Sequence, residues 1–354
     1  MAGNPLSADL DRILQRTRPL WDEARGRRIF VTGGTGFFGC WLLESFAWIN
    51  DNLDLGSELL VLTRNVDAFR KKAPHLAGRA DIQFHLGDVR DFQFPSGTFS
   101  HVIHAATETV EKPGQEDHAA MLETITGGTR RALEFTAKCG ATKFLLTSSG
   151  AVYGRQPSEL THVGEDYAGA PDVSSPRSAY GEGKRLSELL CAIYGPRLGI
   201  ETKVARCFAF VGPYLPLDAH FAIGNFIRDA LAGGPISIKG DGSPYRSYLY
   251  AADLAAWLWT ILFRGKSNYP YNVGSSQSLT IAEVAKAVSR ALGQNTGIAI
   301  AQMPAPGQPA QRYVPSITRA ADELELDQWT QLEDAIRATA NWEMKRREAA
   351  GAKV

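Results

Sequence analysis

The sequence predicts an α/β protein with a doubly wound parallel β-sheet, followed by a smaller mixed α/β domain towards the C terminus. Over the first 206 residues, short apolar segments typical of buried strands alternate with amphipathic helical segments, which indicates a parallel sheet covered by helices on both faces. After residue 206, glycine, proline and aromatic residues interrupt this alternation. The chain has 354 residues, more than one hydrophobic core usually serves, so we expect two joined domains.

The elements of the larger domain follow one another along the chain. An amphipathic helical segment at 6–25 leads into the first strand. The predicted strands are Arg28–Thr32, Glu58–Leu62, Ile82–Leu86, His101–Ala105, Lys143–Thr147 and Thr202–Arg206, and the predicted helices lie between the first strand and Ile49 and at 66–73, 119–138 and 179–195. In the C-terminal part we predict a helix over 280–293, because Thr280 and Glu283 have the spacing of a capping box.

Composition excludes several classes of protein. Hydrophobic residues make up 44% and charged residues 21%, with 38 basic against 38 acidic side chains, so neither disorder nor binding to nucleic acid or an anionic membrane is expected. Four scattered cysteines and seven histidines show no metal-ligand spacing, and we expect no metal. The N terminus lacks the apolar core of a signal peptide, and Leu254–Phe263 is shorter than the ~20 residues of a membrane span. We therefore expect a cytoplasmic protein.

A glycine-rich loop follows the first strand and opens a helix. Gly33 permits a tight turn, Gly36 lets the backbone approach a pyrophosphate, and Gly39 lets the helix pack on the strand. Phosphate oxygens would then lie against the helix N terminus, where free N–H groups favour anions. Glycines that only allow close packing of a strand and a helix can have the same spacing. Because these three glycines follow a predicted strand and open a predicted helix, the loop predicts a Rossmann-type dinucleotide site.

The end of the second strand bears on the choice of cofactor. An acidic residue there would bind the ribose hydroxyl of NAD, whereas this chain has Thr63 and Arg64. A guanidinium can bind the 2′-phosphate of NADP, so we expect NADP or NAD as the cofactor and favour NADP. In the alternative interpretation, Arg64 stacks on the adenine or faces solvent and does not select the cofactor. Asp88 is expected to reach the adenine edge, unless it caps a turn.

A tyrosine and a lysine stand four residues apart on one predicted helix. The spacing puts Tyr180 and Lys184 on the same face, where the ammonium can lower the pKa of the phenol towards a range useful for proton transfer. Such pairs also arise by chance. Here a predicted strand runs into the hydroxyl residues Thr147, Ser148 and Ser149 upstream, which strengthens the interpretation as a catalytic set.

Four motifs, taken in order and spacing, resemble the extended short-chain dehydrogenase/reductases, specifically their nucleotide-sugar epimerase/dehydratase branch. They are T-G-G-T-G-F-F-G at 32–39, H-A-A at 104–106, S-G-A-V-Y-G at 149–154 and Y-G-E-G-K at 180–184. The resemblance implies that Tyr180 is the general base or acid at a sugar hydroxyl, that Lys184 holds the nicotinamide ribose, and that Ser149 hydrogen-bonds the same sugar oxygen. It also implies a homodimer through the helices at 119–138 and 179–195, and further cofactor contacts from Phe37, Phe38, Val89, Ala105 and Ala106.

Two positions narrow the reaction. Dehydratases and decarboxylases of the branch carry acidic residues directly after the serine or threonine, whereas this chain has Gly150 and Ala151, and neither can move a proton. We therefore predict a nucleotide-diphospho-sugar epimerase that oxidises and re-reduces C4. The alternatives are an NADPH-dependent reductase of 4-keto-6-deoxy sugars, a 4,6-dehydratase, or a non-enzymatic regulator that senses NADP on the same fold.

The resemblance also implies substrate-binding residues and domain boundaries. Arg246 and Arg312 match arginines that hold the substrate diphosphate in the family. Asn225 matches a residue whose amide contacts the pyrophosphate. Ser148 is the alternative to Ser149 as the residue that hydrogen-bonds the sugar oxygen. The usual Asn before the G-P turn is replaced by Ala209. We expect a helical extension at 1–26, a dinucleotide-binding domain at 27–208 with a return segment at about 247–275, a substrate-binding domain at 209–246 and 276–345, and a tail at 346–354.

Overall fold

A seven-stranded parallel sheet forms the centre of the protein, in the order β3-β2-β1-β4-β5-β6-β11. The structure is a computed structural model and describes residues 4–107, 117–219, 221–293, 297–305 and 307–349. The strands are β1 (Arg28–Thr32), β2 (Glu58–Thr63), β3 (Ile82–Leu86), β4 (His101–His104), β5 (Lys143–Ser149), β6 (Glu201–Cys207), β7 (Phe210–Val211), β8 (Ile236–Ile238), β9 (Tyr245–Arg246), β10 (Leu249–Tyr250), β11 (Tyr269–Val273), β12 (Leu279–Thr280), β13 (Ile298–Ile300) and β14 (Arg312–Tyr313).

Helices cover the sheet and extend beyond it. They are α1 (Ser7–Thr17), α2 (Phe37–Leu53), α3 (Val66–Lys72), α4 (Pro74–Ala77), α5 (His118–Lys138), α6 (Ala179–Leu198), α7 (Ala222–Leu231), α8 (Ala251–Arg264), α9 (Ile281–Ala291), α10 (Thr318–Leu324) and α11 (Leu332–Ala349), with 3-10 turns at Arg18–Ala24, Gly150–Tyr153 and Pro176–Ser178. The six predicted strands and the helices between them are confirmed, with shifts of up to two residues at the strand ends and up to four residues at the helix ends. None of the described helices is both long and apolar enough to cross a membrane.

Alternation along each strand sends side chains to two separate cores. In β1, Ile29 and Val31 join the cluster under α2 and α8, whereas Phe30 faces the phenylalanine-rich cluster under α5 and α6. Phe30 and Phe135 pack with ring centroids 4.5 Å apart. Helices therefore cover both faces, and the predicted doubly wound α/β fold is confirmed.

The N-terminal segment packs as an integral part of one core. Leu10, Ile13 and Leu14 on α1 are buried, as the amphipathic pattern predicts, and Trp21 is fully buried against Trp259 of α8, with ring centroids 4.7 Å apart. Burial of this much aromatic and aliphatic surface stabilises the segment against α2 and α8, since each large side chain contributes ~1.5–3 kcal/mol.

The C-terminal part returns once to the main sheet and otherwise builds small sheets beside it. β11 extends the sheet next to β6, and β12, β9 and β14 form a three-stranded sheet near the carboxyl ends of β5 and β6. The predicted capping box of α9 is present, because Thr280 and Glu283 hydrogen-bond each other's backbone amides. α11 continues to Ala349, into the segment predicted as a tail, and Arg346 and Arg347 pair there with Glu343.

Candidate active site

The glycine loop lies where the strand order of the main sheet reverses, between β1 and β4. Gly33 has φ +73°, and a Cβ at this residue would lie 2.4 Å from the carbonyl carbon of Ala105, so the ends of the two strands meet at a distance only glycine allows. A Cβ at Gly39 would lie 2.3 Å from the backbone of Gly34, which lets α2 start directly on its own loop. The tight turn predicted from the glycine spacing is present.

The residues of this loop fit a dinucleotide. α2 begins at Phe37 after Gly36, and no side chain of the described residues caps its N terminus. The first N–H groups of a helix have no partner within the helix, so an uncapped N terminus favours an anion such as a pyrophosphate. Crevices at the carboxyl ends of parallel strands, at the reversal of strand order, are where such ligands bind in doubly wound folds.

A basic cavity lies beyond the end of β2. It has a volume of about 480 Å³ and is lined by Arg64, Asn65, Val66, Asp67, Arg70, Phe84 and Leu86. Arg64 is exposed and has no carboxylate within ion-pair distance among the described residues, whereas Arg70 pairs with Asp67 at 2.9 Å. Leu86 is 69% exposed and gives the cavity an apolar side. Sequence reasoning identified Arg64 but missed Arg70, which α3 brings back towards the strand end.

Asp88 is held by its own turn. Its carboxylate accepts from the side chain of Arg90 at 2.8 Å and from the Arg90 backbone amide at 3.0 Å, and these bonds, the side-chain bond first, lower its pKa. This contact is the turn-capping alternative considered from the sequence. Val89, next to it, is buried against Gly128 of α5.

Ser149, Tyr180 and Lys184 come together at the end of β5 and the start of α6. Lys184 is 2% exposed, its Nζ donates to the carbonyl of Thr147 at 2.9 Å, and burial lowers its pKa to about 8. Burial raises the pKa of Tyr180, while a hydrogen bond with Ser149 acts in the opposite direction. The Lys184 Nζ lies 5.9 Å from the Tyr180 ring centroid. In this structure the predicted lowering of the Tyr180 pKa by Lys184 is not found, because burial dominates.

Strand alternation separates the two neighbouring serines. Ser148 pairs in register with Arg206, is 3% exposed and donates to Glu188 at 2.5 Å, and Glu188 forms an ion pair with Arg206. Ser149 pairs with Cys207 on the opposite face, the side of Tyr180. The hydroxyl of Ser148 therefore belongs to a buried network away from the tyrosine.

A buried chain of hydrogen bonds ties the strand ends to α6. His104 bonds Thr32 at 2.8 Å and Thr129 at 3.2 Å, and Thr129 bonds Ser187 of α6 at 2.8 Å. Burial lowers the pKa of His104 to about 3, so the ring is neutral at physiological pH. Through these bonds the histidine links β1 and β4 to α5 and α6.

The small sheet places an arginine and a tyrosine on the site. Arg246 pairs in register with Tyr313, and its guanidinium lies 6.0 Å from the Tyr313 ring centroid, while Tyr313 reaches Ser149 with 3.4 Å between the hydroxyl oxygens. Arg246 is half-buried without a carboxylate partner among the described residues, and burial lowers its pKa. An unpaired, partly buried guanidinium is suited to an anionic ligand.

The other expected substrate residues lie apart from this face. Arg312 stacks on Tyr245 at 4.0 Å, and because neighbouring residues of a strand point to opposite faces, it lies across the sheet from Arg246 and Tyr313. Asn225 accepts from Arg228 at 3.1 Å within α7. Of the residues predicted for the substrate, the structure brings only Arg246 next to the Ser149 face.

The ring of Phe208 packs between Gly150, the residue after Ser149, and Tyr313. A Cβ at Gly150 would lie 2.7 Å from the Phe208 ring, and the same ring packs on Tyr313 with centroids 4.7 Å apart. Tyr313 was missed from the sequence, although its place beside the predicted Arg312 and the period of a strand could have suggested it. Among the described residues no group of three or more metal-ligating side chains is found.

The doubly wound sheet and the glycine loop at its reversal point are those of the extended short-chain dehydrogenase/reductases. Residues 29–274 match the family model described as the NAD dependent epimerase/dehydratase family, and the chain therefore belongs to this family. The resemblance stated from the four motifs is confirmed.

Curated relatives and solved structures agree with this placement. The chain is 28% identical to UDP-glucuronic acid decarboxylase 1 of Xenopus tropicalis, over 90% of this chain and 73% of the relative, and 28% identical to UDP-glucuronic acid decarboxylase 6 of Arabidopsis thaliana, over 87% and 86%. Similar solved structures include UDP-glucuronic acid 4-epimerase from Bacillus cereus with UDP-glucuronic acid and NAD (TM-score 0.75, 21% identity, 90% of this chain and 99% of that one). Another is DesIV, a dTDP-glucose 4,6-dehydratase from Streptomyces venezuelae with NAD and TYD bound (TM-score 0.76, 22%, 91% and 98%). At these identities the solved structures show the fold alone.

Proposed function

We propose that the protein is a nucleotide-diphospho-sugar epimerase that oxidises C4 of the sugar and re-reduces it. The observation that carries this proposal is the pair Gly150 and Ala151 after Ser149. Neither residue has a group that can move a proton, and the Phe208 ring leaves no space for a side chain at Gly150. Elimination of water or loss of carbon dioxide would need the acidic residues that the branch usually carries there, whereas a C4 epimerisation needs only one proton-transfer group.

Tyr180 is that group in our proposal. As a phenolate it takes the proton of the C4 hydroxyl, and as a phenol it returns the proton once the new stereocentre forms. Ser149 hydrogen-bonds the same oxygen. A bound nicotinamide would supply the hydride chemistry at C4. The residues that would hold the dinucleotide are the loop at 33–39, the strand end at Ala105 and Ala106, and Lys184 at the ribose.

We propose NADP as the preferred cofactor. Support comes from Arg64, whose guanidinium has no carboxylate in ion-pair contact among the described residues, and from Arg70 across the same cavity. Two cations beside an apolar wall suit an adenosine 2′-phosphate. The family description and the two solved structures named above point to NAD instead, so the preference is a question for direct binding measurements.

A second candidate is an NADPH-dependent reductase of nucleotide 4-keto-6-deoxy sugars. The same basic cavity favours it, because net reduction consumes NADPH whereas an epimerase recycles its cofactor.

The 28% identical relatives are decarboxylases of UDP-glucuronic acid, which makes this compound the first substrate to test. A regulator without turnover is the least supported alternative, since Ser149, Tyr180 and Lys184 are assembled at the strand end.

On the substrate side we propose that Arg246 binds the diphosphate. Its guanidinium is half-buried, lies on the Ser149 face and has no acidic partner among the described residues. Arg312 and Asn225 remain weaker proposals, because their side chains stack on Tyr245 and bond Arg228, respectively. We do not include Ser148 in the site, since its hydroxyl is bonded to Glu188.

We also propose a homodimer through α5 and α6. Large apolar side chains are exposed on their outer faces, and on α6 they recur at helical spacing: Leu186 (42% exposed), Leu189 (53%) and Ile193 (49%), with Leu122 (37%) on α5. Exposed apolar residues that form one stripe mark a protein interface more often than a solvated surface.

The experiment that tests the function incubates purified protein with a panel of nucleotide hexoses, UDP-glucuronic acid and 4-keto-6-deoxy nucleotide sugars. NAD, NADP or NADPH is added, and products are followed by mass and chromatography. An isomer of unchanged mass formed without added reductant supports the epimerase. Turnover of keto sugars only with NADPH establishes the reductase, and loss of water or carbon dioxide refutes the argument from Gly150 and Ala151. Tyr180→Phe should abolish every reaction while cofactor binding persists.

A further inference from the structure

The turn of the glycine loop, at 33–36, contains one residue that is not glycine. Thr35 stands between Gly34 and Gly36, and a turn this rich in glycine has many backbone conformations available. The N–H of Gly36 donates to the carbonyl of Gly33 at 3.1 Å. The carbonyl of Thr35, at the other end of the same peptide unit, accepts from the ammonium of Lys72 at 2.9 Å. Both ends of the peptide that joins Thr35 to Gly36 are therefore held.

We propose that Lys72 is a positioning residue for the dinucleotide site, because its hydrogen bond to Thr35 fixes the peptide that directly precedes α2. That helix begins at Phe37, and its first N–H groups are the ones suited to an anion. Since a peptide unit is planar, a fixed Thr35 carbonyl also fixes the direction of the Gly36 N–H. A loop that is ordered before the ligand arrives loses less conformational entropy on binding. The inference rests on the proposed function only for the dinucleotide as the ligand.

The carbonyl of Thr35 has a second and weaker donor on α2 itself. The sulfur of Cys40 lies 3.9 Å from this oxygen, and burial raises the pKa of the Cys40 thiol to about 11, so the sulfur keeps its proton at neutral pH. A carbonyl oxygen has two lone pairs, and these two donors use both. Because a thiol is a weak donor and an ammonium a charged one, the bond from Lys72 contributes most to the orientation of Thr35.

The end of α3 sets the position of Lys72. It is the last residue of that helix, and the buried ring of Phe69 anchors the helix against Phe84 with ring centroids 5.4 Å apart. The Lys72 ammonium lies 5.7 Å from the ring centroid of Tyr214, within the range of a cation–π contact. No carboxylate of the described residues lies within ion-pair distance of this ammonium, so no acidic side chain competes with the Thr35 carbonyl.

Tyr214 is itself held by a buried carboxylate on α2. Its hydroxyl donates to Glu44 at 2.5 Å, and its ring packs on Trp342 with centroids 4.7 Å apart. The side chain of Glu44 is 2% exposed and is also hydrogen-bonded to His75 at 2.8 Å. Tyr214 has φ +71°, which a bulky residue rarely adopts without support from its surroundings. These contacts therefore fix the ring beside which the Lys72 ammonium lies.

α3 thus serves two parts of the dinucleotide site. Asp67 and Arg70 line the cavity beyond β2, and Lys72, at the end of the same helix, reaches the glycine loop. Adenosine or 2′-AMP can occupy the adenosine side without a phosphate at the N terminus of α2, whereas a whole dinucleotide also places its pyrophosphate there. Affinity for the ligands that contain a pyrophosphate should therefore depend on Lys72.

The test compares Lys72→Met, which keeps a long stem without the ammonium, with Lys72→Arg and with Lys71→Met. Lys71 is the matched control, because it is exposed on the same helix and has no hydrogen bond or ion pair among the described residues. In calorimetry, Lys72→Met should bind NAD and NADP about 3- to 10-fold more weakly, as for one partly exposed charged hydrogen bond. The affinities for adenosine and 2′-AMP, measured by competition, should change less than about twofold. Lys72→Arg can still donate to Thr35 and should recover most of the lost affinity.

A second readout needs no ligand. Hydrogen exchange of peptides that cover residues 33–39, followed by mass spectrometry, should be about 3- to 10-fold faster in Lys72→Met, because the loop opens more often. It should be unchanged in Lys71→Met. The inference is overturned if dinucleotide binding weakens while exchange of the loop stays the same, since Lys72 would then act on the ligand by its charge alone. An equal loss of affinity for adenosine would overturn it as well.

These measurements are independent of sugar chemistry. Failure of every sugar to turn over would refute the proposed epimerase and leave both readouts for Lys72 intact. Failure of the wild-type protein to bind any dinucleotide would refute the dinucleotide site, while hydrogen exchange would still decide whether Lys72 orders the glycine loop.

Discussion

The guanidinium of Arg64 offers a direct measure of what the cavity beyond β2 recognises. Arg64→Ala removes an exposed cation that has no carboxylate in ion-pair contact among the described residues, so no buried partner is left unsatisfied. A hydrogen bond to a charged group contributes ~1.5–3 kcal/mol to binding. Because Arg64 is exposed to solvent, we expect its bond to the 2′-phosphate to contribute at the lower end of this range. We therefore expect NADPH binding to weaken about tenfold, because ~1.4 kcal/mol corresponds to a factor of ten. NADH binding should change less than about threefold.

Arg70 is expected to contribute less than Arg64. Its guanidinium already pairs with Asp67 at 2.9 Å, so binding of a phosphate must compete with an existing partner. Arg70→Ala should weaken NADPH binding by about threefold, and the double variant should lose most of the preference for NADPH. Lys71→Ala is the matched control, since Lys71 is an exposed cation on the same helix that does not line the cavity.

The assay is a fluorescence titration of NADPH and NADH against each variant, with 2′,5′-ADP and 5′-AMP as competitors. Weaker binding with rising salt should be confined to the ligands that carry the 2′-phosphate, because exposed charges are screened. The reasoning is refuted if the wild-type protein binds NADH as tightly as NADPH, or if Arg64→Ala weakens both cofactors equally.

Three further predictions concern other parts of the molecule. Gly33→Ala places a Cβ 2.4 Å from Ala105 at positive φ and should abolish dinucleotide binding in calorimetry; normal affinity would refute the glycine argument. Leu189→Glu should convert a dimer into a monomer in analytical ultracentrifugation, whereas Val173→Glu, at a more exposed site outside α5 and α6, should not. The pKa of Asp253 is raised to about 7 by burial, so the folded state holds this proton more tightly. Its contribution to stability is lost as pH rises from about 4 to 7, and Asp253→Asn should flatten the pH dependence of the unfolding free energy by up to ~4 kcal/mol; an unchanged slope would contradict this.

Much of the fold and part of the site could be predicted from the sequence. The apolar strands, the glycine loop and the capping box of α9 depend on residues close in the chain, and short-range patterns carry that information. The pairing of Tyr180 with Lys184 could also be predicted, because residues four apart in a helix lie on the same face. Ser149 could be preferred over Ser148 only by resemblance, until the register of β5 against β6 placed them on opposite faces.

The remaining site residues depend on which strands pair and in what register. Arg246 and Tyr313 are 67 positions apart in the numbering of the chain, yet β9 and β14 pair so that both side chains lie on one face, where Tyr313 contacts Ser149. The same register turns Arg312, which the sequence favoured, to the other face. Arg70 likewise reaches the cavity of Arg64 only because α3 folds back over the end of β2. The linear chain therefore determined the dinucleotide fold and the phenol–ammonium pair, whereas the tertiary structure decided which distant side chains share a face, because strand pairing, and not spacing along the chain, sets that geometry.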